Sequence, residues 1–331
     1  MIEDRRAAIL CSVVQEYVET GMPVGSESIL RSAHLDVSSA TVRKEMAELE
    51  KEGLLIQPHT SAGRIPTDKG YRFFVDQLSA PGVLSERQRR EIATFFDRSY
   101  ELERMLQKAS ELLAQLTHCA ALVTLPPPQV ATVRHAHMVR IDDGRVLAVV
   151  VLSTGTVEKC AIKLNADPTD EDLGRINNGL NEHLVGKRIA SLNARGSYVD
   201  PSLDPAVVRV FDILDQRHNQ SPDSVFVGGA SHLAIGFGAV ETVRNVLIIL
   251  EEEKQEVIRL LSQTIARSPG IAIGVENGSE SLAPCSLVAA PYAFQGDQAG
   301  TIGILGPTRM NYPKVLAAVN EVGKQLSDAL A

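Results

Sequence analysis

Two hydroxyl and two basic side chains lie close together at the start of one predicted helix: Ser39, Thr41, Arg43 and Lys44. Hydroxyls and free N–H groups at a helix N-terminus suit phosphate oxygens. An arginine one turn into such a helix can donate two hydrogen bonds to guanine O6 and N7. This pattern indicates a helix that reads double-stranded DNA. The alternative is a solvated helix face in a helical protein-binding domain.

A second group of cations follows in a predicted hairpin. Residues 59–72 contain Arg64, Lys69 and Arg72 against the single acid Asp68, a net charge of +2. Cations of this kind neutralise phosphates, which supplies most non-specific DNA affinity. We therefore add Arg64, Lys69 and Arg72 to the candidate DNA contacts. We also expect Arg43 and Arg64 to be exposed to solvent.

The hydrophobic pattern predicts that residues 1–78 form one unit around these side chains. Apolar residues at helical spacing predict a first helix that ends at Gly21, and Ser26 can cap a second one. Ser38 or Ser39 then caps a third helix, which Gly53 stops. A short strand, a hairpin and a final helix follow. Two short helices, a tight turn and a hairpin together predict a winged helix-turn-helix.

The overall charge restricts where DNA can bind. The chain has a net charge of −8 and a pI near 5.6. Residues 1–78 contain nine Lys and Arg against twelve Asp and Glu, a net charge of −3. A protein that grips nucleic acid over its whole surface is more often basic. Any DNA contact is therefore local, and we expect modest non-specific affinity.

Length and composition exclude several classes of protein. A chain of 331 residues predicts two or three domains, and 44 % hydrophobic with 22 % charged residues is typical of globular proteins. Apolar runs are too short for a membrane span. The four cysteines are more than 40 residues apart, so they form no CxxC zinc or redox pair. A reducing, cytoplasmic location is the simplest interpretation.

Catalytic motifs are incomplete throughout the chain. The glycine-rich stretches 228–232 and 236–238 complete neither GxxxxGK[ST] nor GxGxxG. The sequence has no HxxxH motif and no GxSxG motif, and the acids at 142–143 lack the further ligands of a metal loop. We therefore predict no catalytic residues, no metal site and no cofactor. An enzyme is possible but unsupported.

A linker at 79–84 separates the first unit from a predicted long helix, about 85–117. Its apolar residues alternate at intervals of three and four, as in a heptad repeat. These positions are Ile92, Phe95, Leu102, Leu106, Ala109, Leu113 and Leu116. The stripe could contact a second copy of the chain, or it could pack on the chain's own sheet.

The rest of the chain alternates between strand and helix patterns. Three strand-like runs lie before residue 165, a mostly helical stretch spans 166–265, and strands return after 266 before a closing helix. This order predicts an α+β protein. Its sheet domain would comprise 85–165 and 266–331, interrupted by a helical insertion at 166–265.

Several sequence blocks resemble the bacterial heat-inducible transcription repressor family HrcA. In the first unit these are 39–50 (SATVRKEMAELE), 52–55 (EGLL) and 61–72 (SAGRIPTDKGYR). Later blocks are 227–231 (VGGAS), 273–277 (IGVEN), 285–288 (CSLV) and 306–312 (GPTRMNY). The resemblance covers essentially the whole chain. The wing block together with the GPTRM block is highly specific.

The resemblance implies an N-terminal winged helix, a GAF-like domain and a dimerisation domain inserted into it. It also implies a homodimer that represses heat-shock chaperone operons by binding an inverted-repeat operator, the CIRCE element. In this family the GroE chaperonin keeps the repressor active, and heat stress diverts the chaperonin to misfolded proteins. No cofactor or catalysis is implied.

Two alternatives remain at this stage. A GAF-like domain could bind a small effector and make the protein a ligand-sensing winged-helix regulator, which a pocket lined by polar groups would favour. An enzyme with an accessory winged helix would instead show a perturbed acid–base pair in a cleft.

Overall fold

The structure is a computed structural model, and it describes most of the chain. The described residues are 4–33, 37–59, 62–78, 82–96, 101–142, 144–164, 167–193, 205–218, 225–237 and 239–331. Helices and antiparallel strands are both abundant, and the protein is α+β as predicted.

A winged helix-turn-helix forms the N-terminal unit, as the sequence predicts. Its elements are α1 (Asp4–Thr20), α2 (Ser26–Ala33), α3 (Ser39–Lys51), β1 (Leu55–Ile56), β2 (Ile65–Pro66) and α4 (Asp68–Asp76). Gly21 and Gly53 follow α1 and α3 with φ of 71° and 73°. These left-handed positions suit glycine and end both helices where the pattern placed their ends. β1 and β2 pair antiparallel at the base of the wing.

The predicted long helix 85–117 is wrong, because two helices occupy this region. They are α5 (Glu86–Phe96) and α6 (Leu102–Thr117), and the strand β3 (Ala120–Thr124) follows. Glu101 precedes α6 with an extended backbone, at φ −60° and ψ 146°. Leu106, Ala109 and Leu113 are fully buried in the chain's own core. The apolar stripe therefore packs on the chain's own sheet, which was the second of the two interpretations.

A three-stranded antiparallel sheet comes next, with its own hydrophobic core. The strands are β4 (Val133–Asp142), β5 (Arg145–Leu152) and β6 (Val157–Lys163), and the helices are α7 (Asp170–Leu184), α8 (Ile189–Asn193) and α9 (Pro205–His218). Val146, Ala148 and Val150 of the central strand β5 are buried in that core. The intervening residues of β5 face the other way.

A five-stranded antiparallel sheet is assembled largely from the end of the chain. Its order is β7-β3-β10-β9-β8. The remaining elements are β7 (Val225–Gly228), α10 (Ser231–Gly236), α11 (Val240–Glu252), α12 (Lys254–Ile265), β8 (Ile271–Ile273), β9 (Cys285–Phe294), β10 (Asp297–Pro307) and α13 (Tyr312–Ala329). One face packs on α6, α13 and the winged unit, and the other packs on α10–α12.

The grouping of strands differs from the expected boundaries at 165 and 266. Within the described residues, β4–β6 pair with one another and not with the C-terminal strands, while α11 and α12 pack on the five-stranded sheet. The sequence missed β3, whose five residues are all buried. A strand buried on both faces has no alternating pattern, so the run 120–124 gave no period-2 signal.

Candidate nucleic-acid interface

The N-terminus of α3 is capped by Ser38. Its Oγ accepts a hydrogen bond from the Thr41 N–H at 3.1 Å and lies 2.9 Å from Thr41 Oγ1. Ser39, the other cap candidate, has its Oγ 3.0 Å from Ser26 Oγ and joins α2 to α3. Both hydroxyls predicted to contact DNA, Ser39 and Thr41, are half-buried and have partners within the unit.

Arg43 and Lys44 are exposed on the first turns of α3. The opposite side of the helix buries Val42 and Met46 completely or nearly so. Arg43 makes no hydrogen bond or ion pair with any residue that the structure describes. These two cations therefore point away from the core, where a phosphate or a base edge could reach them.

The expectation that Arg64 is exposed is wrong. Its side chain is 15 % exposed, and its Nε donates to Glu50 Oε2 of α3 at 3.0 Å. Its backbone pairs with Val24 through two hydrogen bonds of 2.9 Å. Earlier in the wing, the Ala62 N–H donates to the His59 carbonyl at 2.8 Å. Arg64 thus lies at the base of the wing and fastens the wing to α3.

Gly63 permits the close approach of the wing to the chain before α2. A Cβ on Gly63 would lie 2.4 Å from the Val24 carbonyl oxygen, which is a backbone atom that cannot move aside cheaply. The glycine is therefore required by the pairing of Val24 with Arg64.

Lys69 and Arg72 have different surroundings. Lys69 is exposed, and its Nζ donates to the Glu52 carbonyl at the C-terminus of α3 at 2.9 Å. Arg72 turns away from the wing: it donates to both carboxylate oxygens of Glu276 and to the Ile271 carbonyl at 2.8 Å. Its guanidinium is thus engaged by the C-terminal sheet domain, which argues against the predicted DNA contact of Arg72.

Glu45 is a buried carboxylate that the sequence did not single out. Arg5 and Arg6 of α1 donate to its two oxygens at 2.8 and 3.0 Å. The hydrogen bonds from Arg5 and Arg6 lower the pKa of Glu45 below its ordinary value. Two arginines on α1 therefore hold the recognition helix in place through one charged group.

Two cavities bear on the alternative of a ligand-sensing regulator. One, between α5 and α13, has a volume of about 450 Å³, within the usual range of ligand pockets, and is lined by Ala93, Thr94, Phe96, Gln325, Asp328 and Ala329. The space between the five-stranded sheet and α11–α12 is a cavity of about 10 Å³, lined by Leu122, Ile249, Leu250, Val257, Leu260, Asn277, Leu282, Leu287 and Leu305. Effector pockets are usually about 300–1,000 Å³, so this one is too small for a small-molecule ligand. No cluster of three His, Cys, Asp or Glu that could hold a metal occurs among the described residues.

No helix among the described residues is long and apolar enough to span a membrane.

Comparison with known families matches both parts of the chain. The family model described as HrcA protein C terminal domain matches residues 103–316. A DeoR-like helix-turn-helix domain matches residues 31–67, which include α3 and the wing.

Individual relatives match along the whole chain. The heat-inducible transcription repressor HrcA of Nocardia farcinica is 39 % identical, covering 99 % of this chain and 97 % of the relative. The protein of the same name from Acidothermus cellulolyticus is 37 % identical, covering 100 % and 99 %. A crystal structure described as a hypothetical protein shares the fold at a TM-score of 0.61 and 23 % identity, covering 99 % of this chain and 97 % of that chain.

Proposed function

The chain belongs to the HrcA family of heat-inducible transcription repressors, and we propose that it represses heat-shock chaperone operons by binding the inverted-repeat CIRCE operator as a homodimer. Its relatives are named repressors and it carries a helix-turn-helix, so it is a DNA-binding regulator rather than an enzyme. Because a repressor works on the DNA of its own cell, we place it in the cytoplasm.

The observation that carries the proposal is the exposed pair Arg43 and Lys44 on a capped helix. We propose that Arg43 reads a base edge in the major groove, and that Lys44, Ser39 and Thr41 face the phosphates. Lys69 would contact a phosphate either after breaking its hydrogen bond to the Glu52 carbonyl or while keeping that bond. Arg64 would act mainly by holding the wing against α3.

Homodimer formation is supported by the open face of the three-stranded sheet. Along β5, Leu147, Val149 and Val151 alternate with buried residues and remain only partly covered. Val139 lies opposite Leu147 on β4, and Val157 lies opposite Val151 on β6; both are exposed. An inverted repeat requires a two-fold symmetric protein. We propose that this apolar face contacts the same face of a second copy.

Dependence on the GroE chaperonin is proposed from the family and from the pairing of distant strands. In the five-stranded sheet Val123 pairs with Ile302, and Val227 pairs with Leu122. Such pairs form only after long loops close, which slows folding and exposes apolar surface meanwhile.

A band-shift titration tests the proposal. Inverted-repeat DNA and a scrambled duplex of equal length are titrated with the protein across a salt series. We expect the operator to bind about 10³-fold more tightly or better. Equal affinity for the two duplexes would contradict sequence-specific repression. The same assay after denaturation, with and without chaperonin and ATP, tests the folding part; full unaided recovery of operator binding would contradict it.

A further inference from the structure

The winged unit packs directly on the C-terminal sheet domain. One continuous hydrophobic cluster runs from Ile9 and Leu10 of α1, through Tyr71 of α4, to Tyr312 and Val315 of α13. The rings of Tyr71 and Tyr312 lie 5.8 Å apart, tilted by 54°. Both side chains are buried at this junction. The two domains therefore share a core and a definite relative orientation.

The centre of the junction is an ion pair between α4 and the turn after β8. Arg72 donates to Glu276 through two nitrogens, Nε at 2.8 Å, and to the Ile271 carbonyl. Glu276 also accepts from the Ile273 N–H at 2.9 Å, and Arg267 lies 3.8 Å away. The two side chains are 22 % and 25 % exposed. A bidentate arginine–carboxylate pair of this kind fixes geometry as well as distance.

The carboxylate is held in its ionised form. Burial opposes ionisation of Glu276, but the hydrogen bonds from Arg72 and the Ile273 N–H, with the charges of Arg72 and Arg267, outweigh it and lower its pKa. Replacing one member of a partly buried pair leaves the other charge without compensation. Separating the two domains at Arg72 and Glu276 therefore costs free energy, because it breaks this ion pair.

A second contact lies one helical turn away. Asp68, at the start of α4, accepts a hydrogen bond from the Val275 N–H, but burial and the nearby charge of Glu276 together raise its pKa above the ordinary value. Its carboxylate lies against Gly274, where a Cβ would be 1.8 Å from Asp68 Oδ2. Gly274 also has φ of 57°, a left-handed value that favours glycine. The turn 274–277 is shaped to receive α4.

The linker is fastened as well. The Gly82 N–H donates to the Pro313 carbonyl at 2.9 Å, at the start of α13. A Cβ on Gly82 would lie 2.9 Å from the same carbonyl group. The chain is therefore attached to the sheet domain both in α4 and immediately before α5.

In this arrangement the recognition surface is uncovered. Arg43 and Lys44 are exposed while Arg72 is engaged by Glu276. We propose that Arg72 and Glu276, with Asp68 as their neighbour, are positioning residues that hold each winged helix in the orientation needed to engage both halves of the operator. The inference rests on the proposed function, because it concerns the binding of an inverted repeat by a dimer.

The physical reason is effective concentration. After one winged helix of a dimer binds its half-site, the second winged helix binds intramolecularly. The resulting gain in affinity is larger when the position of the second winged helix is more restricted. A winged helix that moves on a loose linker samples many orientations and loses that gain. Binding to a single half-site involves only one winged helix, so its affinity does not depend on the orientation of the second.

The test compares half-site and full-operator affinity in variants of the full-length protein. Glu276→Gln removes the charge from the pair, and Arg72→Lys keeps the charge but loses the bidentate geometry. Glu86→Gln is the matched control, since it removes the partner of Arg90 in a pair whose side chains are 79 % and 85 % exposed. We expect a loss of about tenfold or more on the full operator and no change on the half-site for the first two variants.

The control should bind both DNAs like the unmodified protein. Half-site binding also reports that the winged helix is folded in each variant. An unchanged ratio of full-operator to half-site affinity in both Glu276→Gln and Arg72→Lys would overturn the proposal, and so would an equal loss on the two DNAs.

A distance measurement separates this proposal from the proposed function. Spin labels at Lys51→Cys and Lys324→Cys, both exposed positions, are placed in a Cys11→Ser background, because the other three cysteines are buried. We expect a narrow distance distribution that broadens with Glu276→Gln and not with Glu86→Gln. If no operator preference exists, the proposed function fails, while a broadened distribution still supports the positioning role. An equally narrow distribution in Glu276→Gln would contradict it.

Discussion

The side chains predicted to contact DNA divide according to what their polar atoms touch. Arg43 and Lys44 are exposed, and the described residues offer Arg43 no partner. Lys69 donates to the Glu52 carbonyl just beyond α3, Arg64 to Glu50, and Arg72 to Glu276. A cation that already has a well-placed acceptor gains less from a phosphate, because it must first give up that acceptor. Arg43 is therefore the best candidate for base reading.

Replacing Arg43 with alanine should weaken operator binding selectively. We expect Arg43→Ala to cost about 1–3 kcal/mol on the operator and far less on random DNA, because a lost base contact has no equivalent on the wrong sequence. Affinities for both duplexes across a salt series measure this. Lys51→Ala is the control: Lys51 is 71 % exposed and lies in the last turn of the same helix. Equal losses on both duplexes for Arg43→Ala would show that it only grips the backbone.

Two buried tyrosines at the domain junction should respond differently to loss of their hydroxyls. The Tyr71 hydroxyl is buried and has no hydrogen-bond partner among the described residues. Tyr312 OH lies 2.8 Å from Ser286 Oγ and donates to the Thr308 carbonyl at 2.6 Å. We expect Tyr71→Phe to be neutral or stabilising and Tyr312→Phe to cost about 1–3 kcal/mol, because only the second change leaves buried partners unsatisfied.

Thermal unfolding of the two variants, measured side by side, checks this contrast. A clear fall in melting temperature for Tyr71→Phe would mean that its hydroxyl has a partner after all. Both variants keep the aromatic ring and lose only the hydroxyl, so a difference in melting temperature reports on the hydroxyls and not on ring burial.

At the scale of elements, contacts at both ends and in the middle hold the recognition helix, besides those that Arg64 and Ser26 make with it. Ser38 caps its N-terminus, Lys69 donates to the Glu52 carbonyl just beyond its C-terminus, and Arg5 and Arg6 hold Glu45 in its middle. Each contact comes from a different segment of the winged unit. The orientation of α3 is thus set by several elements, and a change at one of them weakens it without releasing it.

Removal of the helix cap should destabilise the winged unit by a predictable amount. We expect Ser38→Ala to cost about 1 kcal/mol, because the Thr41 N–H loses its acceptor. Ser38→Thr keeps a hydroxyl acceptor and should recover most of that loss. Thermal unfolding without DNA, followed by operator titration, measures both variants. If alanine and threonine are equally stable at this position, the cap contributes nothing.

At the scale of the whole molecule, two sheets with separate cores lie along one chain. The five-stranded sheet is covered on both faces, by α6 and α13 on one side and by α10–α12 on the other. The three-stranded sheet is covered on one face by α7–α9, and its other face carries a partly open apolar strip along β5, with His137 and Lys159 beside Val149. An open apolar face on an otherwise covered architecture is typical of an interface.

A charge placed on the open face should separate the two copies. We expect Leu147→Asp to convert a dimer at micromolar concentration into a monomer, because a carboxylate would be buried against Val139 and Ala161 and their symmetry mates. Sedimentation measures the change. Ile235→Asp is the control, since Ile235 is 85 % exposed on α10, which does not belong to that sheet. A dimer that survives Leu147→Asp would exclude this face as the contact.

The sequence by itself determined the local structure and the kind of binding surface. Helix limits at Gly21 and Gly53, the capping serine before α3 and the hairpins of β4–β6 all follow from residues within a few positions of one another. Arg43 was placed correctly for the same reason: the periodicity of Val42 and Met46 fixes which side of α3 faces the core.

Only the tertiary structure decided which strands share a sheet and which cations remain available. β3 pairs with β7 and β10, although long stretches of chain separate these strands. All five residues of β3 are buried, so its sequence lacks the alternation of apolar and polar residues that predicts a strand. Arg72 belongs to a basic wing in the sequence, but its acceptors, Glu276 and Ile271, lie about two hundred positions away. A local pattern fixes a side chain's position on its element, whereas its partner is fixed by the packing of distant elements, which no short window of sequence contains.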